Sequence, residues 1–155
     1  AYEIRNCDWS SDVCSADLAG YATVSNAKPA SPVAYTPKGD FRSDFLADKV
    51  DVKAALDAGK PVADARPAGR FTGVDKEPRA GMRSGHMPGA SSVPLSTLIA
   101  HNGELVTHSQ IKTAFGKLDD ESPIITTCGS GVTAAGLSLS LYEIGRESRV
   151  YDGSW

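Results

Sequence analysis

The run Ile124-Ile125-Thr126-Thr127 is separated by only four residues from a helical stretch, Val132 to Ile144, which Gly145 closes. β-Branched residues fit a pleated, enclosed surface, so the run reads as a buried strand. A strand that passes almost directly into a helix is the repeating unit of α/β folds. The same alternation recurs along the chain from Phe41 onward. Val52, Ala55 and Leu56 recur at helical spacing, with Gly59 as a stop. Val62-Ala63 leads into Asp64-Ala65-Arg66, a short strand that ends in polar residues. Ala90 to Val93 reads as another strand and Leu95 to Ala100 as a brief helix. Thr107 and Gln110 have capping-box spacing ahead of Ile111, Ala114, Phe115 and Leu118. Arg149-Val150-Tyr151 begins a last strand. Strands alternating with helices predict a parallel sheet with helices on both faces. The stretch from about Pro67 to Gly89, rich in Gly, Pro and charge, is expected to be a long loop, and such loops are usually functional.

Residues 1–40 contrast with this pattern. Lys28-Pro29-Ala30-Ser31-Pro32 and Thr36-Pro37-Lys38-Gly39 are turn and linker chemistry, because proline fixes φ and removes a donor. The stretch Asp8 to Leu18 resembles a translated sequencing-adapter tail, apart from Ala16, where serine is expected. Residues 1–18 are therefore read as an artefact, or else as a tail with two incidental thiols, Cys7 and Cys14. Residues 1–40 are expected to be an irregular head and linker, and residues 41–155 the folded domain.

The 155 residues are 41% hydrophobic and 23% charged, which excludes collagen-like, mucin-like and strongly disordered chains. The net charge of −3 supplies no general basic surface, so neither nucleic acid nor membrane is an expected partner. No apolar run approaches the roughly 20 residues of a membrane span. The N-terminus lacks the apolar core of a signal peptide. Three cysteines are too few for a disulfide framework, so a reducing compartment, the cytoplasm, is expected.

Cys128 stands at the strand–helix junction, wrapped by Gly129, Ser130 and Gly131. Chemistry in α/β sheets gathers at the carboxyl ends of strands. Glycines let several N–H groups converge on one atom, and a helix N-terminus favours an anion there. Both effects favour a thiolate. The plainer alternative is a small buried apolar residue, the usual state of a free cysteine. Two chemistries use such a loop. A cysteine-dependent phosphatase needs an arginine six residues after the nucleophile to clamp phosphate, and Ala134 occupies that position. Sulfur transfer through a persulfide depends more on backbone donors, which the neutral loop suits better.

Four ordered motifs carry a family resemblance. Cys128-Gly129-Ser130-Gly131-Val132-Thr133-Ala134 resembles the active-site loop of the 3-mercaptopyruvate sulfurtransferases, in the rhodanese superfamily. Asp64 to Phe71 with Glu77-Pro78-Arg79 resembles the substrate-binding loop of that family. Gly85-His86-Met87-Pro88-Gly89-Ala90 and Tyr151-Asp152-Gly153-Ser154-Trp155 resemble its two structural signatures. The resemblance implies a rhodanese-like α/β domain and an enzyme that moves sulfur from 3-mercaptopyruvate, through a Cys128 persulfide, to a thiol or cyanide acceptor, releasing pyruvate. It gives Cys128 the nucleophile's role and Ser130 a proton relay. Arg70 and Arg79 would hold the carboxylate and carbonyl oxygens of a 2-oxo thiol substrate, which suit guanidinium donors. Gly129, Gly131, Val132 and Thr133 would complete the binding loop. A thiol such as thioredoxin is an implied acceptor, and no cofactor is implied. The thiosulfate-using branch tends to carry basic side chains in this loop, so Gly129 and Ser130 favour mercaptopyruvate, with thiosulfate the alternative donor.

Other polar residues have plainer roles. His86 is expected to brace its loop, and Asp64 and Asp152 to accept hydrogen bonds from loop amides. His101 and His108 are expected to face solvent. No cluster has metal-ligand spacing, and the glycines after Cys128 do not form a nucleotide-binding fingerprint. The resemblance covers only the second of the family's two rhodanese-like domains. The first supplies an acidic residue and a histidine to the site, and the chain stops where the family continues. A gene fragment truncated at its C-terminus is therefore expected, either active or a non-catalytic module.

Overall fold

The computed structural model describes Ala34, Thr36 and residues 42–78, 81–118 and 121–154. The chain divides into two units, Ala1–Asp40 and Phe41–Trp155, and every element described belongs to the second. The adapter-like stretch, Cys7 and Cys14 lie outside the described residues.

Four strands, β1 (Val62–Asp64), β2 (Ser91–Ser92), β3 (Ile124–Thr127) and β4 (Ser148–Tyr151), form one sheet in the order β2-β1-β3-β4. Every pairing is parallel, with Ala63 opposite Ser91, Val62 opposite Ile125, and Thr127 opposite Tyr151. Successive side chains on a strand point to opposite faces, and the core divides accordingly. Ala63, Ile124 and Val150 face one cluster with Ile111, Phe115, Leu137 and Leu141. Val62 and Ile125 face the other, with Ala47, Val52 and Met87. Both faces are thus covered, as the unbroken burial of β1 and β3 requires.

Helix α1 (Lys49–Asp57) covers the second face, and its N-terminus is closed by a capping box between Asp48 and Asp51. Arg149 of β4 donates to the Leu46 carbonyl and to Asp51, both at 2.8 Å, which ties this segment to the sheet edge. The first face carries α3 (His108–Phe115) and α4 (Val132–Glu143). The expected Thr107–Gln110 capping box begins α3.

Two readings of the sequence need correction. The stretch from Pro67 to Gly89 is not all loop, because Ala68–Thr72 forms a short helix, α2. Five residues make fewer than two turns, too few for a hydrophobic period to register. The brief helix expected at Leu95 to Ala100 is only a 3-10 turn, Leu95–Thr97, followed by a bridge between Ile99 and Leu105. No helix among the described residues is long and apolar enough to cross a membrane.

Candidate active site

Cys128 leaves β3 toward the first face and is only 3% exposed. The chain must then turn sharply into α4. Gly131 caps that helix with φ 80, a left-handed backbone that other residues adopt at a cost. A Cβ at Gly131 would also stand 3.1 Å from Asp152 Cβ, against the segment that closes the loop from above. The Ser130 N–H donates to Cys128 Sγ at 3.4 Å, and the Ser154 hydroxyl donates to the Cys128 carbonyl at 3.4 Å.

Burial pushes the Cys128 thiol up. It is outweighed by the Ser130 N–H, the Thr133 hydroxyl and the Ala134 and Thr133 N–H groups, so the thiol lies below its ordinary value. Only the thiolate is a good nucleophile. Alkylation of Cys128 by iodoacetamide should therefore rise with pH and reach half its limiting rate at a lower pH than for a solvated thiol. Thr133→Val should move that midpoint upward. A midpoint at or above that of free cysteine would show that the donors do not stabilise the thiolate.

A cleft of about 190 Å³ opens over the sulfur, lined by Arg66, Pro67, Arg70, Glu77, Pro78, Met82, Gly129, Ser130, Val132 and Thr133. One wall is a chain of charges. Asp64, at the end of β1, accepts from Arg66 Nε at 3.0 Å and from Arg66 Nη2 at 2.6 Å. Arg66 Nη1 reaches Glu77 at 2.8 Å, and Nη2 reaches the Gly85 carbonyl at 2.8 Å. Glu77 in turn accepts from Arg70 Nε at 3.1 Å and from Arg70 Nη2. The side chains of Asp64 and Arg66 are each 2% exposed and that of Glu77 1%, whereas Arg70 is 23% exposed. The Arg70 guanidinium holds the Glu77 carboxyl below its usual range against the opposing effect of burial, and Arg66 adds to this. A Cβ on Gly129 would stand 3.1 Å from Arg70 Nη2, so the guanidinium lies directly against the cysteine loop.

The structure therefore brings Cys128, Gly129, Ser130, Val132, Thr133 and Arg70 around one cleft. Gly131 lies buried behind them as the turn. Arg79 falls outside the described residues. His86 braces its loop as expected, its Nδ1 pairing with the Phe71 carbonyl at 2.8 Å and its ring stacked on Phe71. Asp64 does accept the Arg66 N–H at 3.0 Å, but the Arg66 guanidinium is the larger partner. Asp152 departs from expectation. Among the described residues no loop amide donates to it, and it packs against Gly131 instead. Among the described residues no three His, Cys, Asp or Glu side chains converge as a metal site would require.

Sequence reasoning assigned no role to Arg66, Glu77 or Met82. The one local signal was Asp64-Ala65-Arg66 at a strand end, where residues two apart share a face. The Glu77-Pro78-Arg79 resemblance marks the loop but gives Glu77 no role of its own, and Glu77 reaches the site only because the loop folds back.

The family model for the rhodanese-like domain matches residues 48–155. The 3-mercaptopyruvate sulfurtransferase of Mus musculus is 40% identical over 115 residues, covering 72% of this chain and 39% of that protein. The thiosulfate sulfurtransferase of Gallus gallus is 41% identical over 97 residues, covering 61% of this chain and 33% of that protein. Among solved structures, the 3-mercaptopyruvate sulfotransferase of Escherichia coli superposes with a TM-score of 0.62 at 33% identity, covering 81% of this chain and 49% of that one. The chain thus spans less than half the length of these relatives.

Proposed function

Because the chain belongs to the rhodanese-like domain family, we propose that it takes sulfur from 3-mercaptopyruvate onto Cys128 and passes it to a thiol or cyanide acceptor, releasing pyruvate. The supporting observation is a buried thiol, lowered by its hydrogen-bond donors, that opens on the same cleft as Arg70. In this scheme the Cys128 thiolate attacks the substrate sulfur. The new S–S bond forms as the C–S bond breaks, and the electron pair leaves on carbon as the pyruvate enolate, which then takes a proton. Ser130 is assigned the relay of that proton. Arg70 and Arg79 are assigned the carboxylate and carbonyl oxygens, and Gly129, Gly131, Val132 and Thr133 the rest of the cradle and wall. An acceptor thiolate such as that of thioredoxin then attacks the outer sulfur and frees Cys128. Exchange of this kind suits a reducing compartment, and we assign the protein to the cytoplasm.

In this scheme residues 41–155 are the catalytic domain and residues 1–40 a head and linker. Ester hydrolysis is disfavoured, because Ala134, the position of a phosphatase's clamping arginine, is fully buried. Thiosulfate is the second donor to consider, since one relative of comparable identity bears that name.

Intact-mass measurement after incubation with 3-mercaptopyruvate tests the proposal. One added sulfur on Cys128, with pyruvate released, is the expected result. Loading by thiosulfate alone, with sulfite released, would favour the second donor. No adduct with either would leave a folded, non-catalytic rhodanese-like module.

A further inference from the structure

Glu77 spans two guanidiniums in the wall of the cleft, and its position bears on which anions that cleft can hold. Its side chain is 1% exposed, so its charge is poorly screened by water. One oxygen takes Arg66 Nη1, and the pair together take the Nε–Nη2 edge of Arg70. That edge is the one with which arginine commonly makes a side-on fork to a carboxylate. Among the described residues nothing pairs with Arg70 Nη1, so a substrate anion meets only the end of the guanidinium. Arg66 has no spare edge, since Asp64, Glu77 and the Gly85 carbonyl occupy it. Within this wall the two guanidiniums of Arg66 and Arg70 are therefore matched by the two carboxylates of Asp64 and Glu77.

We infer that Glu77 is a specificity-determining residue, which offsets the charge of Arg70 so that the cleft accepts a monoanionic sulfur donor in preference to a dianionic one. The inference rests on Cys128 being loaded with sulfur in this cleft, as proposed above. 3-Mercaptopyruvate presents one carboxylate, whereas thiosulfate is a dianion. The repulsion from a fixed charge is proportional to the charge of the ligand, so a dianion feels twice the effect that a monoanion feels at the same distance. Glu77 thereby acts on specificity through Arg70, without touching the reacting sulfur.

The test uses inert anions on the full chain and needs no turnover. Pyruvate and sulfate, at fixed ionic strength and neutral pH, are titrated as protectants of Cys128 against iodoacetamide, read by intact mass. In the unmodified chain pyruvate should protect at a lower concentration than sulfate. In Glu77→Gln both should protect better, with the factor for sulfate close to the square of that for pyruvate, on the order of tenfold against threefold. Glu77→Asp keeps the charge and should retain the original order, whereas a merely structural role would weaken both anions equally in either variant. Equal factors for the two anions in Glu77→Gln would overturn the inference. So would better protection by sulfate than by pyruvate in the unmodified chain, a result that does not depend on any variant folding. If Cys128 takes no sulfur from any donor but the protection pattern holds, the proposed function fails and the charge selection stands.

Discussion

Arg66→Met should cost the domain about 3–5 kcal/mol at neutral pH, the penalty typical of stranding partners of a buried ion pair. The reason lies in what remains. Asp64 and Glu77 are 2% and 1% exposed, and each would lose a guanidinium that now supplies its hydrogen bonds. Methionine fills comparable space but offers no donor. Glu77 would keep Arg70, while Asp64 would retain only the N–H of residue 66, so Asp64 should dominate the loss. Folded domains are stable by about 5–15 kcal/mol in total, so the variant should lie near the edge of folding. Urea denaturation of both proteins across pH gives the measurement. Glu77 is held below its unfolded value, so the stability it contributes is present above that value and is lost as pH falls through the folded one. Arg70, the larger cause of this lowering, is kept in both proteins, so the gap between them should narrow in acid only by the smaller part that Arg66 supplies. Adding Asp64→Leu to Arg66→Met should recover part of the loss, because an apolar pair of similar volume leaves no charge stranded. A loss below about 1 kcal/mol at neutral pH, the range of exposed pairs, would mean that the network is open to water.

Cys128→Ser should abolish sulfur loading altogether while leaving the fold intact. The Ser130 N–H donates to the Cys128 sulfur, and Thr133 and Ala134 add to the lowering of the thiol. Serine keeps the shape and much of the hydrogen bonding, so the melting temperature should change little. A serine hydroxyl, however, stays protonated at any pH the protein survives and cannot carry sulfur as a persulfide. Intact mass after incubation with 3-mercaptopyruvate should show no added sulfur, and pyruvate release should fall to background. Cys7 and Cys14 remain in the same chain as internal controls. Sulfur retained on either of them in the serine variant would break the assignment of loading to Cys128. Substituting Cys7 or Cys14 should leave loading unchanged, and a fall in activity would show that the head is more than foreign sequence.

Much of the fold was legible because it is locally encoded. The β-branched run Ile124 to Thr127 became a strand buried on both faces, and the Thr107–Gln110 pair became the cap it predicted. The failures were equally local. The α2 turn at Ala68–Thr72 is too short to show a period, and Leu95–Thr97 closes as a 3-10 turn before a helix can propagate.

The site divides in the same way. The Cys128 cradle could be read from sequence because its donors lie two to six residues downstream, so a glycine turn into a helix is enough to aim them. The charge wall could not. It joins Arg66 to Glu77 eleven residues away and to the Gly85 carbonyl nineteen away, across a loop with no repeating pattern. Sequence alone determined the order of strands and helices and the cysteine at their junction, because those follow from neighbours along the chain. Tertiary structure alone decided which edge of Arg70 faces the cleft and which charge offsets it, because burial of Glu77 exists only once the loop has closed over the end of the sheet.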